Sequence, residues 1–143
     1  MIHREASTVV TWSPQQMYDL VVDMDRYPEF LPWCVKATKS EETGTSFRSE
    51  MTFAIKGMRE TFRTIDRLIP GQRVDIQLES GPFQSLESTW LFTPVGSGTR
   101  VDFEIKFQFK NRLLNATLGP LFAKVTKDMV QAFQQRAQSV YGR

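Results

Sequence analysis

The stretch "TRVDFEIKFQFK", Thr99 to Lys110, alternates without a break. Val101, Phe103, Ile105, Phe107 and Phe109 share one parity, and Arg100, Asp102, Glu104, Lys106 and Gln108 share the other. Successive side chains of a strand point to opposite faces. This segment therefore reads as a strand with one greasy and one wet face, the mark of an antiparallel sheet covered on one side. "SFRSEMTFAIK" repeats the pattern with Phe47, Ser49, Met51, Phe53 and Ile55.

Working outward, turn signals cut the region from Val35 to Lys110 every 10–14 residues or so: Gly44, Gly57, Pro70-Gly71, Gly81-Pro82 and Gly96-Ser97-Gly98. Such spacing predicts consecutive hairpins rather than strand-helix-strand crossovers. Val74, Ile76 and Leu78 mark one strand, and Leu86, Ser88, Trp90 and Phe92 another. The strand from Arg59 to Ile69 is ambiguous. Arg59, Arg63, Ile65, Arg67 and Ile69 share one parity, Phe62, Thr64, Asp66 and Leu68 the other, and the pattern alone leaves its inner face open.

Toward the N-terminus, residues 2–12 predict a strand. Ser13 as N-cap and Pro14 at the first helical position then open a short amphipathic helix through Met17, Leu20, Val21 and Met24. Beyond Lys110 the period becomes helical: Leu114, Leu118, Phe122, Val125, Met129, Phe133 and Val140 form one stripe, with Lys124, Lys127, Asp128, Gln131, Gln135 and Gln138 opposite. Gly119-Pro120 predicts a break, followed by a main helix of about twenty residues. One amphipathic helix and a six- to seven-stranded antiparallel sheet bury their faces together if the sheet curls around the helix. The expected fold is α+β, a helix-grip arrangement in one domain spanning residues 1–143.

Composition narrows the function. The chain is 41% hydrophobic and 24% charged, with net charge +2 and a pI near 8.8. This is short of the single-sign bias of a dedicated nucleic-acid binder. A single cysteine, Cys34, excludes an internal disulfide, and the single histidine, His3, stands far from any zinc-ligand spacing. No apolar run reaches the ~18 residues of a membrane span. The expectation is a bacterial, cytoplasmic protein.

A concave sheet touching one helical stripe leaves space, and small-molecule pockets measure roughly 300–1,000 Å³. The segment "DMDRYPEFLPWC", Asp23 to Cys34, is too apolar to leave in water and too short to make a core, so it is expected to cover that pocket as a lid. Pro28 and Pro32 stiffen it and remove N–H groups that would need partners.

"YPEFLPWC", "GPFQSLESTWLFTP", "VDFEIKFQF" and "MVQAFQQRAQSVYG" together resemble the Coq10/RatA family of START-like, polyketide cyclase-related coenzyme Q-binding proteins, across nearly the whole chain. The resemblance implies a START/Bet v 1-like fold whose cavity binds ubiquinone or a similar polyprenyl lipid as ligand rather than cofactor. The protein would be a quinone carrier or chaperone supporting respiration that presents the quinone without transforming it. The bacterial toxin branch implies an alternative: association with the large ribosomal subunit, blocking subunit joining. A polyketide cyclase-type enzyme is the third reading.

Candidate ligand contacts follow from the inner faces. They are Tyr27, Phe30, Leu31 and Trp33 in the lid; Ser49, Met51, Phe53, Ser88, Trp90 and Phe107 on the sheet; and Phe122, Val125, Met129 and Phe133 on the long helix. Ser49, Ser88 and the Trp90 indole can donate to a quinone carbonyl, and Arg136 is a further polar candidate at the cavity mouth. No catalytic set is expected, because His3 lies in the first strand, Asp23 and Asp25 read as turn residues, and no carboxylate pair is evident on the inner faces. No metal site is expected either. Lys124 and Lys127, and Arg59, Arg63 and Arg67, are the candidate ribosome-facing cations. A long isoprenoid tail would overfill such a pocket, so the head and first units would be enclosed and the rest left to a membrane surface, placing the protein peripherally at the inner membrane. The oligomeric state is not set by these patterns.

Overall fold

A computed structural model describes residues 1–142. In chain order the elements are β1 (Ile2–Val10), α1 (Pro14–Val22), a 3-10 helix (Met24–Glu29), β2 (Cys34–Ser40), β3 (Ser46–Ile55), β4 (Met58–Ile69), β5 (Arg73–Ser80), β6 (Phe83–Val95), β7 (Gly98–Phe109), α2 (Arg112–Thr117), α3 (Gly119–Lys127) and α4 (Met129–Tyr141). The strands make one antiparallel sheet in the order β1-β7-β6-β5-β4-β3-β2.

Local chemistry explains the joints. Ser13 Oγ accepts from Gln16 N at 3.1 Å while Gln16 Oε1 accepts from Ser13 N at 2.9 Å, a reciprocal capping box that starts α1. The β3–β4 hairpin turns on Lys56 and Gly57, with φ of 54° and 78°, the left-handed pair that a two-residue hairpin loop requires. At the start of β7, a Cβ on Gly98 would fall 2.0 Å from the Val10 carbonyl oxygen. Glycine there lets the end of β1 lie against β7, where Val10 pairs with Thr99.

The sheet curves around the C-terminal helices, but these do not form the single twenty-residue rod expected. The segment divides into α2, α3 and α4, with boundaries at Leu118 and Asp128. Bonds of the i to i−4 type still cross the boundaries: Phe122 N to Leu118 O at 2.8 Å, and Ala132 N to Asp128 O at 3.1 Å. Val140 also leaves the expected stripe and is 49% exposed, while Ala137 is fully buried in the last turns.

The ambiguous strand, β4, turns Phe62, Thr64 and Asp66 inward and leaves Arg59, Arg63 and Arg67 outside. One end of the concavity is filled by closely packed rings. Phe83 and Phe109 lie 4.6 Å apart, Phe107 and Phe122 4.8 Å, and Phe53 and Phe122 5.2 Å. No helix among the described residues is long and apolar enough to cross a membrane.

Candidate functional site

At the other end of the concavity the sheet and helices leave an apolar cavity. Tyr27 and Trp33 border it from the aromatic segment, Met51, Phe62, Trp90 and Phe103 from the sheet, and Phe122, Thr126 and Met129 from the helices. Its free volume is about 60 Å³. The expectation of a pocket in the usual small-molecule range is corrected by this value: the phenylalanine cluster and the aromatic segment fill most of the space that one helical stripe would have left. An open, charged hollow of about 620 Å³ lies elsewhere, on the outer face of the sheet between Glu5, Arg73, Arg100 and Glu104.

Most of the polar groups of the inner cavity stand on two rungs of the sheet. Ser49 pairs with Thr64 across β3 and β4. Ser49 Oγ and Thr64 Oγ1 are 2.5 Å apart, and Thr64 Oγ1 donates to Asp66 Oδ1 at 2.5 Å. On the next inward rung, Asp66 stands opposite Ile76, and Ile76 opposite Ser88. Asp66 is 1% exposed, and burial pushes its carboxyl up to about 7 against the opposing pull of the Thr64 hydrogen bond and the Lys39 charge. Among the described residues, Ser88 Oγ is the one fully enclosed side-chain polar atom without a hydrogen-bond partner.

The aromatic segment is more ordered than a loop. Residues Met24–Glu29 form the 3-10 helix, and Tyr27 donates its hydroxyl to the Val21 carbonyl at 2.5 Å. Burial raises the Tyr27 phenol well above its ordinary value, so it remains a donor at every physiological pH. Tyr27 and Phe30 both pack edge-on against Phe133, with centroids 5.3 and 5.0 Å away, and Trp33 meets Phe122 at 6.5 Å.

Of the residues proposed from sequence, Tyr27, Trp33, Ser49, Met51, Ser88, Trp90, Phe122 and Met129 border the cavity. Leu31, Phe53, Phe107 and Phe133 are buried in the surrounding packing rather than on the wall, and Phe30 and Val125 are half-buried beside it. Arg136 does not reach inward. Its Nη2 donates to Glu29 Oε1 at 2.8 Å, and its guanidinium lies over Phe30, 5.0 Å from the ring centroid. Thr64 and Asp66 are the functional candidates that sequence reading missed. Their shared parity with Phe62 was the available signal.

On the outside, of the strand cations expected to face a ribosome, Arg59, Arg63 and Arg67, Arg63 is the one that forms an ion pair with a described residue. Arg63 pairs with Glu50 at 2.8 Å, and Arg67 donates to Gln77 at 2.9 Å. In contrast, no carboxylate occurs from Ile105 to Lys127. Lys110, Arg112, Lys124 and Lys127 in that stretch are exposed and make no ion pair with a described residue. His3 pairs with Glu104 at 2.7 Å on the exposed surface, with Glu5 beside them.

Comparison with known proteins places these features in context. Residues 10–134 match the family described as polyketide cyclase / dehydrase and lipid transport. The chain is 38% identical over 141 residues to the ribosome association toxin RatA of Pseudomonas aeruginosa, covering 98% of each chain. It is 32% identical over 147 residues to the mitochondrial coenzyme Q-binding protein COQ10 homolog B of Xenopus laevis, covering 99% of this chain and 60% of that one. In fold it is similar to a START superfamily protein from Mycobacterium smegmatis, with a TM-score of 0.77, 17% identity and coverage of 96% and 98% of the two chains.

Proposed function

The chain belongs to the polyketide cyclase / dehydrase and lipid transport family, in the branch of RatA and the COQ10 homologs, and on that premise we propose that it binds ubiquinone or a similar polyprenyl lipid between its sheet and helices. It acts on this reading as a carrier or chaperone and breaks no bond. The observation that carries the reading is a small, largely apolar cavity between sheet and helices whose unpartnered Ser88 Oγ faces the same space as Asp66. A buried hydroxyl without a partner costs roughly 1–3 kcal/mol, and a ligand oxygen placed there removes that cost.

A head group needs more room than about 60 Å³. Binding therefore requires the Tyr27–Trp33 segment to move outward, and the tail then leaves along that opening toward a membrane surface. Met24, Met51 and Met129 on the wall suit a space that changes shape, because their unbranched side chains repack easily. The protein on this reading works in the bacterial cytoplasm at the inner face of the membrane.

The test is transfer from vesicles loaded with decylubiquinone, a short-tailed probe. After flotation of the vesicles, about one quinone per protein should remain in the soluble fraction. Protein recovered free of quinone at saturating load would contradict the proposal.

A second reading, association with the large ribosomal subunit, is supported by the name of the Pseudomonas relative and by the carboxylate-free stretch carrying Lys110, Arg112, Lys124 and Lys127. These cations lie outside the cavity, so the two activities do not compete for the same residues. Pelleting with purified large subunits should fall steeply with salt if several phosphates are neutralised. Failure to pellet at low salt would count against this reading.

A further inference from the structure

We propose that Asp66 and Ser88 form a two-point polar clamp that selects ligands with a neutral head carrying carbonyl-type oxygens, against both plain hydrocarbons and anionic lipids. The inference rests on the ligand-binding reading above and assigns the groups that read the head.

The geometry comes from the register. Asp66, Ile76 and Ser88 stand on one rung of β4, β5 and β6. Neighbouring strands lie about 4.8 Å apart, so the two polar residues flank the Ile76 side chain at a separation of about two strand spacings. A flat head lying over Ile76 can present one oxygen to each side. Thr64 occupies Asp66 Oδ1, and no described residue hydrogen-bonds Oδ2. Ser88 Oγ has no partner among the described residues. The cavity thus holds two polar atoms with unused capacity, while its other hydroxyls, on Ser49, Thr64 and Thr126, hydrogen-bond within the protein.

The protonation state sets the chemistry. A neutral carboxyl donates a hydrogen bond to a carbonyl oxygen, whereas a carboxylate has only acceptors and opposes an anionic head. Burial raises the Asp66 carboxyl to about 7, so both forms are accessible to experiment. The titratable groups facing it are few. Tyr27 approaches from the 3-10 helix with its phenol raised well above its ordinary value, Cys34 of β2 adjoins Tyr27 with its thiol raised to about 11, and Lys39 of β2 contributes a positive charge. Ser49 and Thr64 stand beside it on β3 and β4, Ile76 on β5 is uncharged, and Thr126 and Met129 bring no charge from the helices. Between pH 5.5 and 8.5 Asp66 is the group in this set that changes charge.

The test is a titration of the purified protein with decylubiquinone, decylbenzene and decanoate at pH 5.5 and 8.5, following the fluorescence of Trp33 and Trp90 on the cavity wall. With a binding-competent fraction set by protonation, decylubiquinone should bind about thirtyfold more tightly at pH 5.5. At pH 5.5 it should also bind more tightly than decylbenzene, which meets neither polar group, and than decanoate, whose charge is costly to bury in the cavity even beside a neutral carboxyl. Asp66→Asn, whose amide donates at any pH, should retain binding at pH 8.5 and lose the pH dependence. Ser88→Ala should weaken quinone binding about tenfold at both pH values while keeping their ratio. Equal wild-type affinities at the two pH values, or decylbenzene binding as tightly as the quinone, would overturn the clamp and leave the ligand-binding reading standing. Absence of binding by all three probes would overturn both. If Asp66→Asn does not fold, the wild-type pH ratio and the Ser88→Ala result decide.

Discussion

Arg136 of α4 is joined to Glu29 at the end of the 3-10 helix, Nη2 to Oε1 at 2.8 Å, with Phe30 beneath its guanidinium. A residue near the C-terminus thus fastens the aromatic segment over the cavity from outside. The arginine beside it holds the Glu29 carboxyl below its ordinary value. The pair is therefore present above the usual carboxylate range and is lost as pH falls through it.

Arg136→Ala should release this fastening without emptying the core. Faster amide exchange is expected at Tyr27 and Leu31, together with faster quinone entry and exit at nearly unchanged equilibrium affinity. Exchange measured by mass spectrometry and stopped-flow fluorescence would check the two halves of this prediction.

Asp66→Asn should change the pH dependence of stability. The Asp66 carboxyl is raised in the folded protein to about 7, against about 3.9 in an unfolded chain. The folded state therefore binds more protons between these values, and stability falls as pH rises from about 4 to 7. The penalty above that window is roughly 4 kcal/mol, from 1.36 kcal/mol per unit. Urea unfolding should find the variant more stable than wild type at pH 8 and nearly equal at pH 4.

Phe133→Ala tests what closes the cavity. Phe133 is fully buried, with Tyr27, Phe30 and Trp90 at 5.0–5.3 Å. Its truncation should cost about 3–5 kcal/mol and open room beside the existing space. A fall in thermal midpoint, partly recovered on adding decylubiquinone, is the expected pairing.

Replacing Lys124 and Lys127 with glutamate should leave quinone binding intact and weaken pelleting with the large ribosomal subunit. The dependence of log affinity on log salt should become shallower by about one for each phosphate no longer neutralised. Unchanged pelleting and an unchanged slope would remove these two lysines from any ribosomal interface.

The alternation in β7 and β3, the Ser13 and Pro14 helix start and the turns at Gly57, Gly71 and Gly81 were legible because each depends on local backbone chemistry. β4 was not, because Ile65 and Ile69 compete with Phe62 and Leu68 for the inner face. Only its pairing with β3, Phe47 opposite Asp66 and Ser49 opposite Thr64, decides which parity faces inward. The same ambiguity hid the buried carboxyl that the expectation of an inner face without carboxylate pairs did not foresee. Cavity volume was illegible for a different reason. It depends on how far Phe53, Phe83, Phe107, Phe109 and Phe122 interpenetrate, which is a property of packing among distant segments. Arg136 could be placed near the apolar stripe by spacing, but its turn toward Glu29 requires the 3-10 helix to lie beside α4.

The most direct measurement of quinone binding is native mass spectrometry of the purified protein with and without an equimolar supply of decylubiquinone, followed by organic extraction of the isolated complex. The predicted result is a one-to-one adduct of the quinone's mass, diminished in a Trp33→Ala variant. A protein that folds, remains at its bare mass under saturating quinone and yields no extractable lipid would contradict it.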